Sequence, residues 1–247
     1  MRPSRIGGIV PVILLVACAH HAPVATVEII DTSLSITPRA EKAALDAVQR
    51  QIVHMHRGDQ LILIPITGDA ENDSGGCVLR LSGPTERETY DADLRRFREQ
   101  AQQQFTAWEA SLDRHQSRTD ILGALDVARQ EFASLPSENE RRLIVVSDFL
   151  EDDGVNDFVH DGALANSARA RLLAAHLRTE RGFAMPGATL CLGRLESRDF
   201  APLTEERKVA IQAFWSAYFT ETGQQIVIHF DGTGMLADAE HGCYIAR

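Results

Sequence analysis

Short apolar runs alternate with amphipathic segments along most of this 247-residue chain, and this alternation constrains the fold more than any other feature. The run at residues 61–66 is continuously apolar, which is typical of a strand covered on both faces, and residues 142–149 are the clearest strand in the chain. Between such runs, apolar residues recur three and four positions apart, as they do on one face of a helix. The pattern predicts an α/β fold with a doubly wound, mostly parallel sheet and helices on both faces.

Six segments fit strands, at residues 26–31, 61–66, 77–81, 142–149, 188–195 and 225–230. The second and third are separated by a short polar stretch, residues 68–76, which we interpret as a loop. Two strands joined in this way predict an antiparallel hairpin at the edge of the sheet. The predicted fold is therefore a six-stranded sheet with one antiparallel edge strand.

The longest predicted helix covers residues 92–115 and carries an apolar stripe that includes Phe105 and Trp108. At 1.5 Å per residue it would be roughly 35 Å long. The stripe favours packing against the core of the domain. A surface for a partner is the alternative.

The first eighteen residues have the character of an export signal. Arg2 and Arg5 precede an apolar stretch, and Leu-Val-Ala leads directly into Cys18. This resembles a bacterial lipoprotein signal peptide, which implies cleavage of residues 1–17 and lipidation of the Cys18 thiol. Residues 18–25 would then be a tether and residues 26–247 a single domain. An ordinary secretory signal with an incidental cysteine is the alternative.

The resemblance also implies a location in the cell envelope. Ala19, rather than Asp, follows Cys18, as in lipoproteins sorted to the outer membrane of enteric bacteria. We therefore expect a lipid anchor in the membrane, with the periplasmic face of the outer membrane favoured. In that oxidising compartment Cys77, Cys191 and Cys243 allow one disulfide, and the sequence leaves all three pairings open.

The charge of the chain bears on its partners. The formal net charge is −10 at pH 7, and the basic residues are not clustered. Nucleic-acid binding requires a basic surface, so we do not expect this protein to bind nucleic acid. An acidic protein is better suited to holding cations.

Polar side chains stand where predicted strands end. Asp31, Ser33 and Ser35 follow the first strand, and alternate side chains of an extended segment point the same way, so the three should converge. Ser147 and Asp148 end the run at residues 142–149, and Thr119 lies just before a predicted helix. Ligands of open α/β sheets bind outside the carboxyl ends of the strands, so this edge is the expected site.

The order D-x-S-x-S, then Thr, then Asp at the end of a central strand resembles the metal-ion-dependent adhesion site of von Willebrand factor A domains. The resemblance implies that hydroxyl ligands come from Ser33, Ser35 and Thr119, and that Asp31 and Asp148 hold the metal directly or through water. One departure is Phe149, which stands where the family usually has Gly. A bulky residue there is expected to narrow the rim of the site or to require a different loop path.

The chemistry of these residues indicates a divalent cation. Mg²⁺ prefers about six oxygen ligands, and a shell rich in hydroxyls leaves it electrophilic with a position to fill. We expect Mg²⁺, with Ca²⁺ and Mn²⁺ as alternatives, and an envelope protein partner that offers an Asp or Glu. The following acidic loop, with Glu151, Asp152, Asp153, Asp157 and Asp161, could hold a second cation, but its spacing is not that of an EF-hand and we interpret it as solvated.

Two other functions remain open. A structural or assembly lipoprotein could use the same scaffold without metal, through the helix at residues 92–115. A Mg²⁺-dependent phosphohydrolase could use Asp31 as nucleophile with Asp148 on the metal, but such enzymes usually place a second Asp where this chain has Ser33. A binding module without catalytic activity is therefore the expectation.

Overall fold

The computed structural model describes residues 22–83, 90–136, 139–220 and 226–229. The predicted signal peptide, Cys18 and the rest of the first half of the tether lie outside the described residues, as does Cys243. Cys191 is disulfide-bonded. Among the described residues, no helix is both long and apolar enough to cross a membrane.

The strands form one sheet. They are β1 (Val24–Asp31), β2 (Gln60–Ile66), β3 (Leu79–Ser82), β4 (Glu140–Ser147), β5 (Ala188–Arg194) and β6 (Ile226–His229). Their order across the sheet is β3-β2-β1-β4-β5-β6, and every neighbouring pair is parallel except β2 and β3. The prediction of a doubly wound, six-stranded sheet with one antiparallel edge strand is confirmed.

The helices are α1 (Pro38–His54), α2 (Ala70–Cys77), α3 (Tyr90–Ser111), α4 (Ile121–Ser134), α5 (Ser167–Arg181) and α6 (Glu205–Thr220). α1 begins as predicted, with the Thr37 hydroxyl accepting a hydrogen bond from the amide of Ala40 at 3.3 Å. The loop prediction for residues 68–76 is wrong, because Asp69 caps the short helix α2 there. β2 and β3 do pair antiparallel at the sheet edge, but a helix rather than a turn joins them.

The core has two layers, one on each face of the sheet. α4, α5 and α6 pack on one face, and α1 and α3 pack on the other. Phe105 and Trp108 of α3 are buried in the second layer, where their ring centroids lie 5.7 Å apart. The apolar stripe of the long helix therefore belongs to the core, and these two side chains are not available to a partner.

One acidic residue lies inside this core. Glu28 stands in the middle of β1 and shares with Ile30 the face that α1 and α3 cover. Its Oε2 atom is buried without a hydrogen-bond partner among the described residues. Burial raises the pKa of Glu28 from 4.5 to about 8, because ionisation would leave a charge in apolar surroundings.

Glu28→Gln should stabilise the fold in a pH-dependent way. Between pH 4.5 and 8 the unfolded carboxyl is ionised while the folded one keeps its proton, so the free energy of unfolding falls as the pH rises. Gln cannot ionise, so the advantage of the variant over the parent should grow by about 3 kcal/mol between pH 5 and pH 7.5. Urea denaturation at both pH values measures it. The exposed Glu206→Gln should show no such growth, and an equal effect of Glu28→Gln at both pH values would contradict the burial argument.

Candidate metal centre

The predicted site forms where the neighbouring parallel strands β1 and β4 end at the same edge of the sheet. Asp31 is the last residue of β1, and Asp148 directly follows β4. The Oδ1 atom of Asp31 accepts a hydrogen bond from the amide of Ser33 at 3.0 Å, which turns the chain just after the strand. This local turn places Ser33 and Ser35 over the end of β4.

Serine hydroxyls connect the two aspartates. The Oγ atoms of Ser33 and Ser35 are 3.0 Å apart, and Ser35 donates to Oδ2 of Asp148 at 3.1 Å. Ser147 donates to Oδ2 of Asp31 at 2.7 Å. Four of the five predicted site residues thus lie in one hydrogen-bonded cluster, which we call the Asp31 cluster: Asp31, Ser33, Ser35 and Asp148.

The two carboxyl groups are inaccessible to solvent and close enough to repel each other. Asp31 and Asp148 are both 0% exposed. Burial, and then the charge of Asp31, raises the pKa of Asp148 to about 7. Burial also raises the pKa of Asp31, against the opposing hydrogen bonds from Ser147 and Ser33. Two such groups ionise together only when a positive charge lies beside them.

Thr119 lies at the rim rather than inside the cluster. Its backbone exchanges hydrogen bonds with Asp152 at 3.1 and 2.9 Å, which fixes the loop before α4. It lines a cavity of about 360 Å³ together with Ser35. No hydrogen bond joins the Thr119 side chain to the Asp31 cluster within the part of the chain that the structure describes.

Phe149 does not narrow the rim of the site, contrary to what its bulk predicted. Its backbone has φ of 63°, the left-handed conformation that Gly adopts without strain. The side chain is buried in the core beside Trp215, with ring centroids 5.8 Å apart. The amide of Phe149 donates to Ser147 Oγ at 3.0 Å, and its carbonyl accepts from Trp215 Nε1 at 2.9 Å. Phe149 therefore does not narrow the rim by projecting into the site.

Sequence reasoning missed one member of the site. Ser197 follows β5 and its side chain hydrogen-bonds to Asp148, which stabilises the ionised carboxylate. A backbone bridge between Ser197 and Ile36 holds it beside the loop that carries Ser35. A lone Ser in a loop carries no sequence signal, because only the order of the strands brings it to this edge.

The strand order and the position of the Asp31 cluster together decide the fold type. An antiparallel edge strand on a doubly wound sheet, with a D-x-S-x-S loop over the ends of the two central strands, is what the resemblance implies. The fold is von Willebrand factor A-like.

Solved structures with similarity to this von Willebrand factor A-like chain have low identity to it. One is the conserved hypothetical protein BatB from Bacteroides thetaiotaomicron, at 15% identity and a TM-score of 0.40, covering 85% of this chain and 91% of that one. Another is the SpRpn10 VWA domain, at 13% identity and a TM-score of 0.42, covering 83% and 87%. A third is manganese-loaded Plasmodium vivax TRAP protein, at 12% identity and a TM-score of 0.41, covering 78% and 62%.

No family model matches the chain, and no curated protein matches it. None of these TM-scores reaches 0.5, so the fold type is assigned from the strand order and the site of this chain.

A pair of substitutions at Phe149 tests the backbone conformation after Asp148. Both Phe149→Ala and Phe149→Gly lose the buried ring, which costs about 3–5 kcal/mol. Gly is ordinarily the less stable of the two, but at positive φ it should be more stable than Ala by about 1 kcal/mol. Urea denaturation of both variants gives the difference. An Ala variant as stable as the Gly variant would contradict the left-handed conformation.

Proposed function

We propose that this protein is a lipid-anchored module of the cell envelope that binds a protein partner through a divalent cation. The observation that carries the proposal is the pair of fully buried carboxyl groups, Asp31 and Asp148, held together by hydroxyls at the open edge of the sheet. The cation would be held by the residues predicted from the sequence: Asp31, Ser33, Ser35, Thr119 and Asp148.

The donor set suits Mg²⁺. Two carboxylates and three hydroxyls offer oxygen only, and Mg²⁺ in proteins is usually bound by one or two carboxylates with several remaining waters. The serine oxygens that now bond to each other and to Asp148 keep lone pairs that can face a cation. Mn²⁺ and Ca²⁺ also take oxygen ligands and are the alternatives.

The cavity beside Ser35 and Thr119 would make the capture of a carboxylate-bearing partner depend on the metal. Its volume of about 360 Å³ is enough for a side chain, and its walls include Asp152, Asp157 and Asp199. Without a cation this acidic lining would repel an Asp or Glu of the partner. Capture of such a side chain should therefore depend strictly on the metal.

With a lipid anchor at Cys18, the direction of β1 would determine which end of the domain faces the membrane. The chain from Cys18 to Val24, where β1 begins, can span at most about 20 Å, so the amino end of β1 would lie near the membrane. The Asp31 cluster stands at the other end of this strand. An anchored domain would therefore present the cluster away from the membrane, towards a partner.

The proposal includes no catalysis. A phosphohydrolase that uses Asp31 as nucleophile would have its usual second Asp at the position of Ser33. Ser33 instead pairs with Ser35 in the hydroxyl cluster, which suits ligation of a cation. Incubation of the full chain with generic phosphate esters and Mg²⁺ should release no phosphate, and release that Asp31→Asn abolishes would contradict this part of the proposal.

Mg²⁺ should stabilise the full-length protein. At a concentration about a hundredfold above its Kd, a ligand that binds only the folded state adds about 2.7 kcal/mol, which corresponds to about 5 °C or more in Tm for a domain of this size. Asp31→Asn should remove this shift in thermal unfolding, because it removes a carboxylate from the site. Asp46→Asn on the exposed face of α1 is the matched control and should keep it.

The stability of the site should depend on pH in opposite ways with and without metal. In a chelator the folded Asp148 keeps its proton up to about pH 7 while the unfolded one loses it near 3.8, so the free energy of unfolding falls as the pH rises. Between pH 5 and 7 the loss should be about 2–3 kcal/mol in a Glu28→Gln background, which removes the contribution of Glu28. Saturating Mg²⁺ should abolish the loss, because the cation binds the ionised pair. A loss unchanged by Mg²⁺ would contradict a cation at Asp148.

Partner capture tests the function itself. The full-length protein, used as bait on solubilised cell envelopes, should retain a partner with Mg²⁺ and release it with a chelator. Asp31→Asn should fail to capture that partner, and Asp46→Asn should capture it as the parent does. Capture that survives both the chelator and Asp31→Asn would contradict the proposal and favour a metal-free assembly role for the exposed face of α3.

A further inference from the structure

A second group of carboxylates lies beside the start of α4. Oxygen atoms of Asp120, Glu151 and Asp153 all lie within 4.8 Å of one another. We propose that these three residues, which we call the Glu151 cluster, bind a second divalent cation, and that this cation is Ca²⁺. The Glu151 cluster shares no residue with the Asp31 cluster, and it does not depend on the function proposed above.

Backbone amides fix each of the three carboxyl groups. Asp120 caps α4 by accepting from the amide of Gly123 at 2.7 Å. Oε2 of Glu151 accepts from the amides of Ile121 and Leu122 at 3.1 and 3.2 Å. Oδ1 of Asp153 accepts from the amides of Val155 and Asn156, both at 2.7 Å. The oxygens are therefore preorganised rather than carried on mobile side chains.

The second oxygen of Glu151 is the observation that points to a ligand. Glu151 is 0% exposed, and its Oε1 atom is buried without a hydrogen-bond partner among the described residues. An unsatisfied buried polar atom destabilises the fold, more so when it belongs to a charged group. The carboxyl group faces two other carboxyl groups, which offer no proton when ionised, so a cation would satisfy all three. This finding also corrects the interpretation of the loop as solvated, because Glu151 is its first acidic residue.

Arg181 leaves the group incompletely neutralised. Its guanidinium makes its short contacts elsewhere, at 2.7 Å to Asp126 and 3.1 Å to Glu71. The closest approach to the Glu151 cluster is 3.8 Å, to Oδ2 of Asp153. One positive charge at this distance would offset only part of the charge of three ionised carboxylates, and it supplies no hydrogen bond to Glu151.

The donor set favours Ca²⁺ over Mg²⁺. Ca²⁺ binds oxygen at 2.3–2.6 Å, so two oxygens on one ion are at most about 5 Å apart, and the limit of 4.8 Å within which the three carboxylate oxygens lie is compatible with this. Ca²⁺ also accepts several carboxylates in irregular geometry, whereas Mg²⁺ demands a near-ideal octahedron. Asp120 adjoins Thr119, and Glu151 lines the same cavity as Thr119, so Ca²⁺ here would fix the rim against which a partner would dock.

The test counts Ca²⁺ ions bound to the full-length protein by isothermal titration calorimetry. The Asp31→Asn variant, which disables the Asp31 cluster, should still bind one Ca²⁺. Adding Asp153→Asn should weaken that binding about tenfold or more, because it removes a charged ligand. Asp46→Asn on the exposed face of α1 is the matched control, since it removes the same charge away from both clusters, and should leave the affinity unchanged. Circular dichroism of the metal-free variants checks that each is folded.

The outcomes distinguish failure of the Glu151 cluster from failure of the proposed function. Asp31→Asn protein that binds no Ca²⁺, or whose Ca²⁺ affinity survives Asp153→Asn, would overturn the inference. If the parent binds a single Ca²⁺ that Asp153→Asn removes, and gains no stability from Mg²⁺, the Glu151 cluster stands and the proposed function fails. If Mg²⁺ stabilises the parent but Asp31→Asn abolishes all Ca²⁺ binding, the proposed function stands and this inference fails.

Discussion

The rest of the site depends on the electrostatic repulsion between the carboxyl groups of Asp31 and Asp148. Parallel pairing of β1 with β4 ends both strands at the same level, so the two buried carboxyl groups meet there. The hydroxyls of Ser147 and Ser35 donate hydrogen bonds to these carboxyl groups, which lowers the free energy cost of ionising one of them. These two hydrogen bonds cannot offset the negative charges of both carboxylates in a site without solvent. The pair must therefore keep a proton or bind a cation.

The strand order explains why the Asp31 cluster lies beside a crevice. Connections run in opposite directions from the two central strands, and this reversal leaves a crevice at their carboxyl ends. The chain turns just after β4 at Phe149, whose backbone is in the left-handed conformation. Trp215 of α6 donates a hydrogen bond to the carbonyl of Phe149. The loop that carries Asp148 is thereby tied to the core on one side and lines the cavity on the other.

Much of this arrangement could be predicted from the sequence. Continuous apolar runs indicated buried parallel strands, and polar residues placed just after Asp31 and Val146 indicated which edge carries the site. Helix α2 was not predicted because Gly75 and Gly76 are typical of loops. The segment is helical instead, with Asp69 as its N-cap. The contact of Ser197 with Asp148 and the burial of Glu151 depend on how distant loops cross, which local patterns do not encode.

The central claim is that a cation occupies the space between the two aspartates. A crystal structure of the full-length protein grown with Mn²⁺, with data collected at the manganese absorption edge, tests it most directly. The account predicts an anomalous peak within about 2–4 Å of Asp31, Ser33, Ser35 and Asp148, with Ser35 turned from Asp148 towards the ion. A structure with no peak at that position, and with Ser35 still donating to Asp148, would contradict it.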